Sequence, residues 1–267
     1  MSSTETFRLT KNPIALVLCQ IRFSGIMAME TTYLPDIQAR LRGIGFKVNA
    51  SNPVPQIQFM MTPQGPQPQA TKHYEFQNLE RTESVVICPE FVTYQATKYV
   101  CFPDFLARLM EVIDQVRAVT NGLTVERLGL RYIDAIVPRA GETWHRYVQP
   151  GLCGIASNAF KAQSEEQVHQ IIAETAIGGT MIIRVLSNTK GIPMPPDMTA
   201  TKLALSINGT VIPGLGAATI DVDHFCAMQP TEYDSAVVGQ QLWDLKHIIL
   251  DIWKNQIVSK EALEIWS

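Results

Sequence analysis

The chain has 267 residues, of which 46% are hydrophobic and only 18% are charged, and its formal net charge is -3. Globular proteins carry about 25% charged residues, so this composition excludes an intrinsically disordered chain and leaves a thin charged coat that a partner could cover. The slightly acidic balance argues against a strongly basic nucleic-acid-binding protein. At about 100–200 residues per domain, the length fits one large domain or two packed halves.

The first half predicts a strand, a helix, two or three strands, a second helix and a final strand. The clearest helix carries an apolar stripe of Phe102, Phe105 and Leu109 at helical spacing, and the segment 62–70, rich in Pro and Gln, predicts a loop. These elements span residues 14–23, 32–43, 53–61, 73–79, 84–97, 102–119 and 125–137. Their order is typical of a ferredoxin-like unit with an extra strand.

The second half predicts β-hairpins followed by a long amphipathic helix at residues 234–256. One hairpin joins 167–175 to 180–186, a second turns at Asn208-Gly209 between 202–207 and 210–212, and the last strand covers 218–225. Ser259 is placed to cap a final helix that ends at Trp266. We therefore expect an α+β fold of antiparallel sheets packed with helices. It divides into a half at 1–138 and a half at 152–267, or forms one intimately packed domain.

Three segments together resemble a rare, sporadically distributed family of uncharacterised bacterial proteins. They are the first strand ending in Gln-Ile-Arg-Phe at 20–23, the run Arg-Leu-Gly-Leu-Arg-Tyr-Ile-Asp at 127–134, and Thr-Ile-Asp-Val-Asp at 219–223. Gln20 stands where the family usually has an acidic residue, and Asp134 stands where Asn is common. The resemblance implies no reaction, but the patchy distribution implies mobile or defence-associated gene neighbourhoods.

A candidate anion site lies on the predicted strand 125–137. Alternation places Arg127, Gly129 and Arg131 on one face of this strand, and Leu128, Leu130, Tyr132 and Asp134 on the other. Gly129 leaves a slot between two guanidinium groups that can grip a phosphate or carboxylate. Pairing of the first and last strands would bring Arg22 close to Arg127, and Tyr132 from the same strand completes the candidate set. The alternative is a structural role, in which these arginines pair with acidic residues of the protein. Those acids are Glu126, Asp134 and Asp221.

A candidate metal site lies on the last predicted strand, where Asp221 and Asp223 share one face. Two such carboxylates can contribute to binding Mg²⁺ or Mn²⁺, and the alternative is the polar side of an amphipathic strand. No other cofactor is expected. Nucleophile motifs, CxxC pairs and spaced histidine ligands are absent from the sequence, so we assign no catalytic residue and favour a protein that is not an enzyme.

Three functions remain open for this chain. The first is a non-catalytic binding or assembly component of a bacterial defence or toxin-type system. Its partner would be another protein or a second copy of this chain. The low content of charged residues and the ten methionines favour this function. The second is an enzyme or sensor of a phosphorylated small molecule or nucleotide that uses the arginines as a clamp. The third is an RNA-binding module. Without a long apolar run or a signal-peptide core, we expect a cytoplasmic location and no membrane insertion.

Overall fold

The computed structural model describes residues 9–50, 56–62, 65–154, 166–198, 202–212 and 216–267. The strands in these ranges are β1 (Ile14–Phe23), β2 (Val48–Asn49), β3 (Gln56–Thr62), β4 (Gly65–Thr71), β5 (Tyr74–Gln77), β6 (Glu83–Cys88), β7 (Phe91–Ala96), β8 (Thr124–Ile136), β9 (Glu166–Glu174), β10 (Thr180–Asn188) and β11 (Ala217–Glu232). The α-helices are α1 (Leu34–Gly43), α2 (Phe102–Thr120), α3 (Ser235–Ile252) and α4 (Lys260–Trp266).

Nine of these strands form one sheet in the order β2-β5-β6-β7-β1-β8-β11-β10-β9. Every pairing in this sheet is antiparallel, while β3 and β4 form a separate two-stranded ribbon. The α+β class and the long C-terminal helix are therefore confirmed. Because β8 pairs with both β1 and β11, strands from both halves of the sequence belong to the same sheet.

The two faces of the sheet have different coverings. On β8, Leu130 and Tyr132 join the main hydrophobic core with side chains of α2 and α3, and we call this side the helix face. Ile133 points the other way and packs with Leu16 and Leu203 in a small second cluster. We call that side the loop face, because residues 196–198 and 202–212 cover part of it. The long strand β8 is almost wholly buried from Leu128 onward, as expected for a central strand with both faces covered.

Helix ends follow the chemistry of their capping residues. Asp234 caps α3 by accepting hydrogen bonds from the backbone N–H groups of Ala236 and Val237. Ser259 caps α4 in the same way, as predicted. Asn121 ends α2 in the left-handed conformation, with a φ of 58°. No helix in the described part of the chain is long and apolar enough to cross a membrane.

Three predicted elements were wrong in detail. The strand predicted over 84–97 is a hairpin of β6 and β7, and Pro89 stands in its turn, where a missing N–H costs nothing. Most of β4 lies in the loop predicted over 62–70. Its Pro66 and Pro68 are two residues apart, so their backbone nitrogens lie on the same edge of the strand. A two-stranded ribbon tolerates such prolines, because alternate N–H groups point to its open edge.

The hairpin predicted at Asn208-Gly209 is also absent, since residues 202–212 contain no strand. The N–H of Ala204 donates to the carbonyl of Arg81, and that of Ser206 donates to the carbonyl of Ala15. One bond leads to the turn between β5 and β6 and the other to β1, so the segment docks on the loop face without forming a ladder of its own.

Candidate functional site

The predicted arginine cluster lies on the loop face, where three neighbouring strands present opposite charges. Arg131 of β8 donates to both carboxylate oxygens of Asp221 of β11, with Nε–Oδ1 at 2.6 Å and Nη2–Oδ2 at 2.8 Å. The same guanidinium donates to Asp197 at 2.7 and 3.0 Å. Arg184 of β10 adds a third contact to Asp221, from Nη1 to Oδ2 at 2.8 Å. The cross-strand register explains this meeting, because Arg184 lies directly opposite Asp221.

This arrangement commits Arg131 to partners within the protein. Burial by itself would lower the pKa of Arg131, but the hydrogen bonds and charges of Asp197 and Asp221 outweigh burial and raise it. Two carboxylates against two guanidinium groups leave no net charge in this cluster. Arg131 is thus paired with acidic residues of the protein itself, and Asp221 is one of them.

The other two predicted arginines meet on the same face but at a different place. Arg22 and Arg127 are directly opposite in the β1–β8 pairing, as expected from the sequence. Arg127 donates to Gln20 Oε1 at 3.0 Å and lies over the ring of Phe225 at 4.0 Å from its centroid. Arg22 approaches the carboxylate of Glu90 at 4.0 Å. Burial lowers the pKa of Arg127, a change that Asp223 partly opposes.

Gly129, where the sequence predicts a slot, lies beside Phe225 of β11. Gly129 lies opposite Phe225 in the sheet, and a Cβ atom built on Gly129 would lie 3.4 Å from the Cβ of Phe225. The ring of Phe225 lies against the guanidinium of Arg127 on this face, and anion binding beside Gly129 stays a prediction. Tyr132 is the fourth member of the predicted anion site. Its side chain lies on the helix face, so it is on the opposite side of the sheet from the three arginines.

The predicted metal ligands are placed on the loop face as alternation requires. Both oxygens of Asp221 accept hydrogen bonds from arginines, and burial raises the pKa of Asp223, which disfavours its charged form. Among the residues that the structure describes, no group of three or more His, Cys, Asp or Glu side chains is placed to hold a metal. Binding of Mg²⁺ or Mn²⁺ by Asp221 and Asp223 stays a prediction.

The helix face contains a cavity of about 510 Å³ that the sequence did not reveal. Its walls come from β8, from α3, from the segment that leads into α2, and from residues 9–14 before β1. Five aromatic side chains contribute to its lining: Tyr99, Phe102, Tyr132, Trp243 and Trp253. A volume of several hundred Å³ whose walls are mostly aliphatic and aromatic, with a few polar groups, is typical of small-molecule sites.

Asp134 is the acidic residue of this cavity, and it is 1% exposed. The indole Nε1 of Trp253 donates to Asp134 Oδ2 at 2.6 Å. The other oxygen, Oδ1, is buried without a hydrogen-bond partner in the described structure. Burial raises the pKa of Asp134 to about 7; the bond from Trp253 opposes this rise, and the charge of Asp221 on the other face adds to it.

Trp253 is positioned by an irregularity at the end of α3. The helix continues into a π-helical turn over Trp253–Ile257, a local widening that often occurs at functional sites. The ring of Trp253 is stacked on that of Trp266 of α4, with centroids 6.0 Å apart and planes inclined by 23°. This packing holds the indole N–H on the carboxylate of Asp134.

A cation lies at the outer part of the cavity. Lys246 of α3 is half-buried, and its Nζ lies 5.5 Å from the ring centroid of Trp243. Burial lowers the pKa of Lys246. His247 is exposed beside it, with its ring 5.4 Å from that of Trp243. The cavity therefore carries an acid at its base and basic groups towards solvent.

Sequence reasoning had placed Asp134 on the face opposite the arginines, but had also considered it as a structural partner for them. The structure shows that it belongs to the cavity, among the apolar residues that alternate along β8. Neither a scan against protein-family models nor a search of curated proteins gave a match. The geometry of this site is therefore the basis for inferring a function.

Proposed function

We propose that this protein binds a small organic molecule in the cavity of the helix face. The observation that carries the proposal is the unpartnered Oδ1 of Asp134, a residue that lines this cavity. Leaving a buried acceptor unsatisfied costs about 1–3 kcal/mol, and more when it is charged. Oδ1 is closed off from the cavity as the side chains stand, so a ligand that donates a hydrogen bond to it would remove this cost after a small shift of Asp134 or of the rings around it.

The proposed activity is binding without a chemical step. Covalent catalysis needs a nucleophile that is hydrogen-bonded to a base. The side-chain hydrogen bonds observed between described lining residues do not form such a pair. The hydroxyl groups of Tyr99 and Tyr132 lie 3.3 Å apart, and Trp253 donates to Asp134. We therefore propose a ligand-binding role for this site.

A thermal-shift screen with a collection of flat amines, amides and acids tests this function. We expect compounds that raise the melting temperature of the wild-type protein, and we expect the Asp134→Asn variant to lose the increase. Asp223→Asn is the matched control, because Asp223 is a largely buried aspartate on the opposite face of the sheet. The proposal is wrong if no compound binds, or if every shift is the same in both variants.

Assembly with another protein is a second candidate function, and the edge strand β9 favours it. β9 is the last strand of the sheet, and Val168 and Ile172 on its loop-face side are each 61% exposed. Within the described residues this edge of β9 pairs with no further strand, and an edge with exposed apolar side chains can accept an added strand. Glu166 and Glu174 stand at its two ends, so the partner that fits is an extended segment of another protein with basic residues at both ends. A second copy in the centred antiparallel register would place Glu166 against Glu174.

A synthetic nine-residue peptide of alternating Val and Thr with Lys at both ends tests this surface by fluorescence anisotropy. We expect it to bind the wild-type protein, and we expect a version with Glu at both ends to bind far more weakly. Equal binding of the two peptides, or no binding of either, would contradict the proposed surface. Light scattering after size exclusion separately reports self-association.

Two finer proposals accompany these functions. We propose that the first half is a ferredoxin-like unit, and the order β6-β7-β1-β8 with α1 and α2 as connections supports this. We also propose a cytoplasmic location, supported by five cysteines that are all free thiols. Membership of the bacterial family that the three strand motifs resemble, and a role in defence, stand as proposals beside them.

A further inference from the structure

We infer that the ligand of the helix-face cavity is a flat amine or amidine whose protonated nitrogen donates to Asp134 Oδ1. This inference rests on the proposed small-molecule function and specifies the chemical class of the ligand. It also gives the ligand a direction, with its nitrogen at the base of the cavity.

At the base, the carboxyl group of Asp134 has one donor and needs another. Trp253 supplies an N–H to Oδ2, whereas Oδ1 faces no donor in the described structure. None of the ion pairs between described residues includes Asp134. A buried carboxylate is stabilised most by a cation that also donates a hydrogen bond, and a protonated nitrogen supplies both.

The walls are suited to a flat cation. The rings of Tyr99 and Tyr132 meet edge to face at 5.6 Å, and those of Phe102 and Trp243 do so at 4.7 Å. Aromatic faces and edges of this kind pack on planar apolar groups. They also attract a cation that lies over a ring within about 6 Å of its centroid. A flat body attached to the nitrogen would therefore gain from the same surfaces that exclude water from Asp134.

The other titratable groups that line the cavity are consistent with this direction. They are Tyr99, Cys101, Tyr132, Lys246 and His247. Burial raises the pKa of Tyr99 to about 12 and raises the pKa of Tyr132 as well, so both phenols are neutral near pH 7. Lys246 and His247 lie towards solvent on α3, where they disfavour a cationic outer end. They would instead pair with an acidic substituent there. Asp221 lies on the loop face, and its charge raises the pKa of Asp134 from the other side of the sheet.

Calorimetric titration with benzylamine and benzamidine tests the inference through the protons that binding releases. Both probes stay protonated at pH 6 and pH 8, whereas a carboxyl group with a pKa of about 7 changes its charge between these values. Binding to the carboxylate should release about 0.9 proton per molecule at pH 6 and about 0.1 at pH 8. By the same linkage, the affinity should be about tenfold higher at pH 8. Titrations in buffers of different ionisation enthalpy give the proton count.

Benzamide and benzyl alcohol are the matched neutral probes. If they bind the cavity while the two cations do not, the inference about the ligand's charge is wrong and the small-molecule function stands. If the cations bind without releasing protons at pH 6, or bind Asp134→Asn equally well, the contact with Asp134 is refuted. If none of the four probes binds and the wider screen is also empty, the proposed function itself fails. The proton count uses the wild-type protein, so the test does not depend on a variant that folds.

Discussion

The raised pKa of Asp134 makes a quantitative prediction about stability, which the Asp134→Asn variant tests. Folding raises the pKa of this carboxyl group from 3.8 to about 7. At about 1.36 kcal/mol per unit, the carboxyl group lowers the free energy of unfolding by about 4 kcal/mol once it must be ionised in the folded state. Below about pH 4 the group is protonated in both states, so this destabilisation is absent there. It grows as pH rises to about 7 and is constant above that value. Asn has nearly the same shape and no charge, so the variant lacks this dependence.

Urea denaturation of the wild type and Asp134→Asn at pH 5 and pH 8.5 measures the effect. An unfolded aspartate is already mostly ionised at pH 5, so about 2–3 kcal/mol of the change falls within this range. We expect the wild type to lose that much more stability than the variant between the two pH values. Asp251→Asn, a change at an exposed position of α3, should keep the wild-type dependence. Parallel pH profiles for the wild type and Asp134→Asn would refute the account of a buried, unpaired carboxyl group.

Three other substitutions test separate parts of the structure. Asp221→Asn removes one of the two carboxylates that pair with the buried guanidinium of Arg131, while Asp197 remains. We expect a loss of about 3 kcal/mol in unfolding free energy, and a loss below 1 kcal/mol in urea titrations would show that the pair is dispensable. Trp253→Phe removes the hydrogen-bond donor to Asp134, which opposes the rise in its pKa. The pH at which benzamidine binding is half-maximal should therefore rise, and an unchanged midpoint in calorimetry would contradict the contact. Ile172→Lys on the exposed edge should abolish binding of the Lys-ended peptide and change unfolding free energy by no more than about 0.5 kcal/mol; retained binding would exclude this edge.

Much of the fold could be predicted from local patterns. The bounds of β1 were predicted to the residue, and α2 and β8 to within one residue at each end, because their apolar periodicity is strong and continuous. The hairpin at Asn208-Gly209 was wrong because a turn motif specifies only a local bend. Whether its flanking residues form strands depends on which backbone groups lie nearby. Here the flanking N–H groups donate to the carbonyls of Arg81 and Ala15. Such partners are distant in sequence and have no local signature.

The candidate site shows the same limit. Alternation placed the arginines and Asp134 on opposite faces of β8, and both placements agree with the contacts observed. The cavity could not be predicted, because its walls come from segments more than one hundred residues apart, such as Phe102 and Trp243. The indole that donates to Asp134 also depends on a π-helical turn, and helical periodicity alone does not reveal such a turn. The clue that was available was an acidic residue among apolar ones on the core side of a central strand.

The most direct test of the central claim is a pH titration of the Asp134 side-chain carboxyl by carbon-13 NMR, with and without benzamidine. The account predicts a pKa of about 7 for the free protein and a clear decrease when the probe binds, because the cation favours the ionised form. Asp134→Asn identifies the resonance by its disappearance. A pKa in the ordinary aspartate range, or one that benzamidine leaves unchanged, would contradict the claim that this carboxyl group is the buried receptor of a cationic ligand.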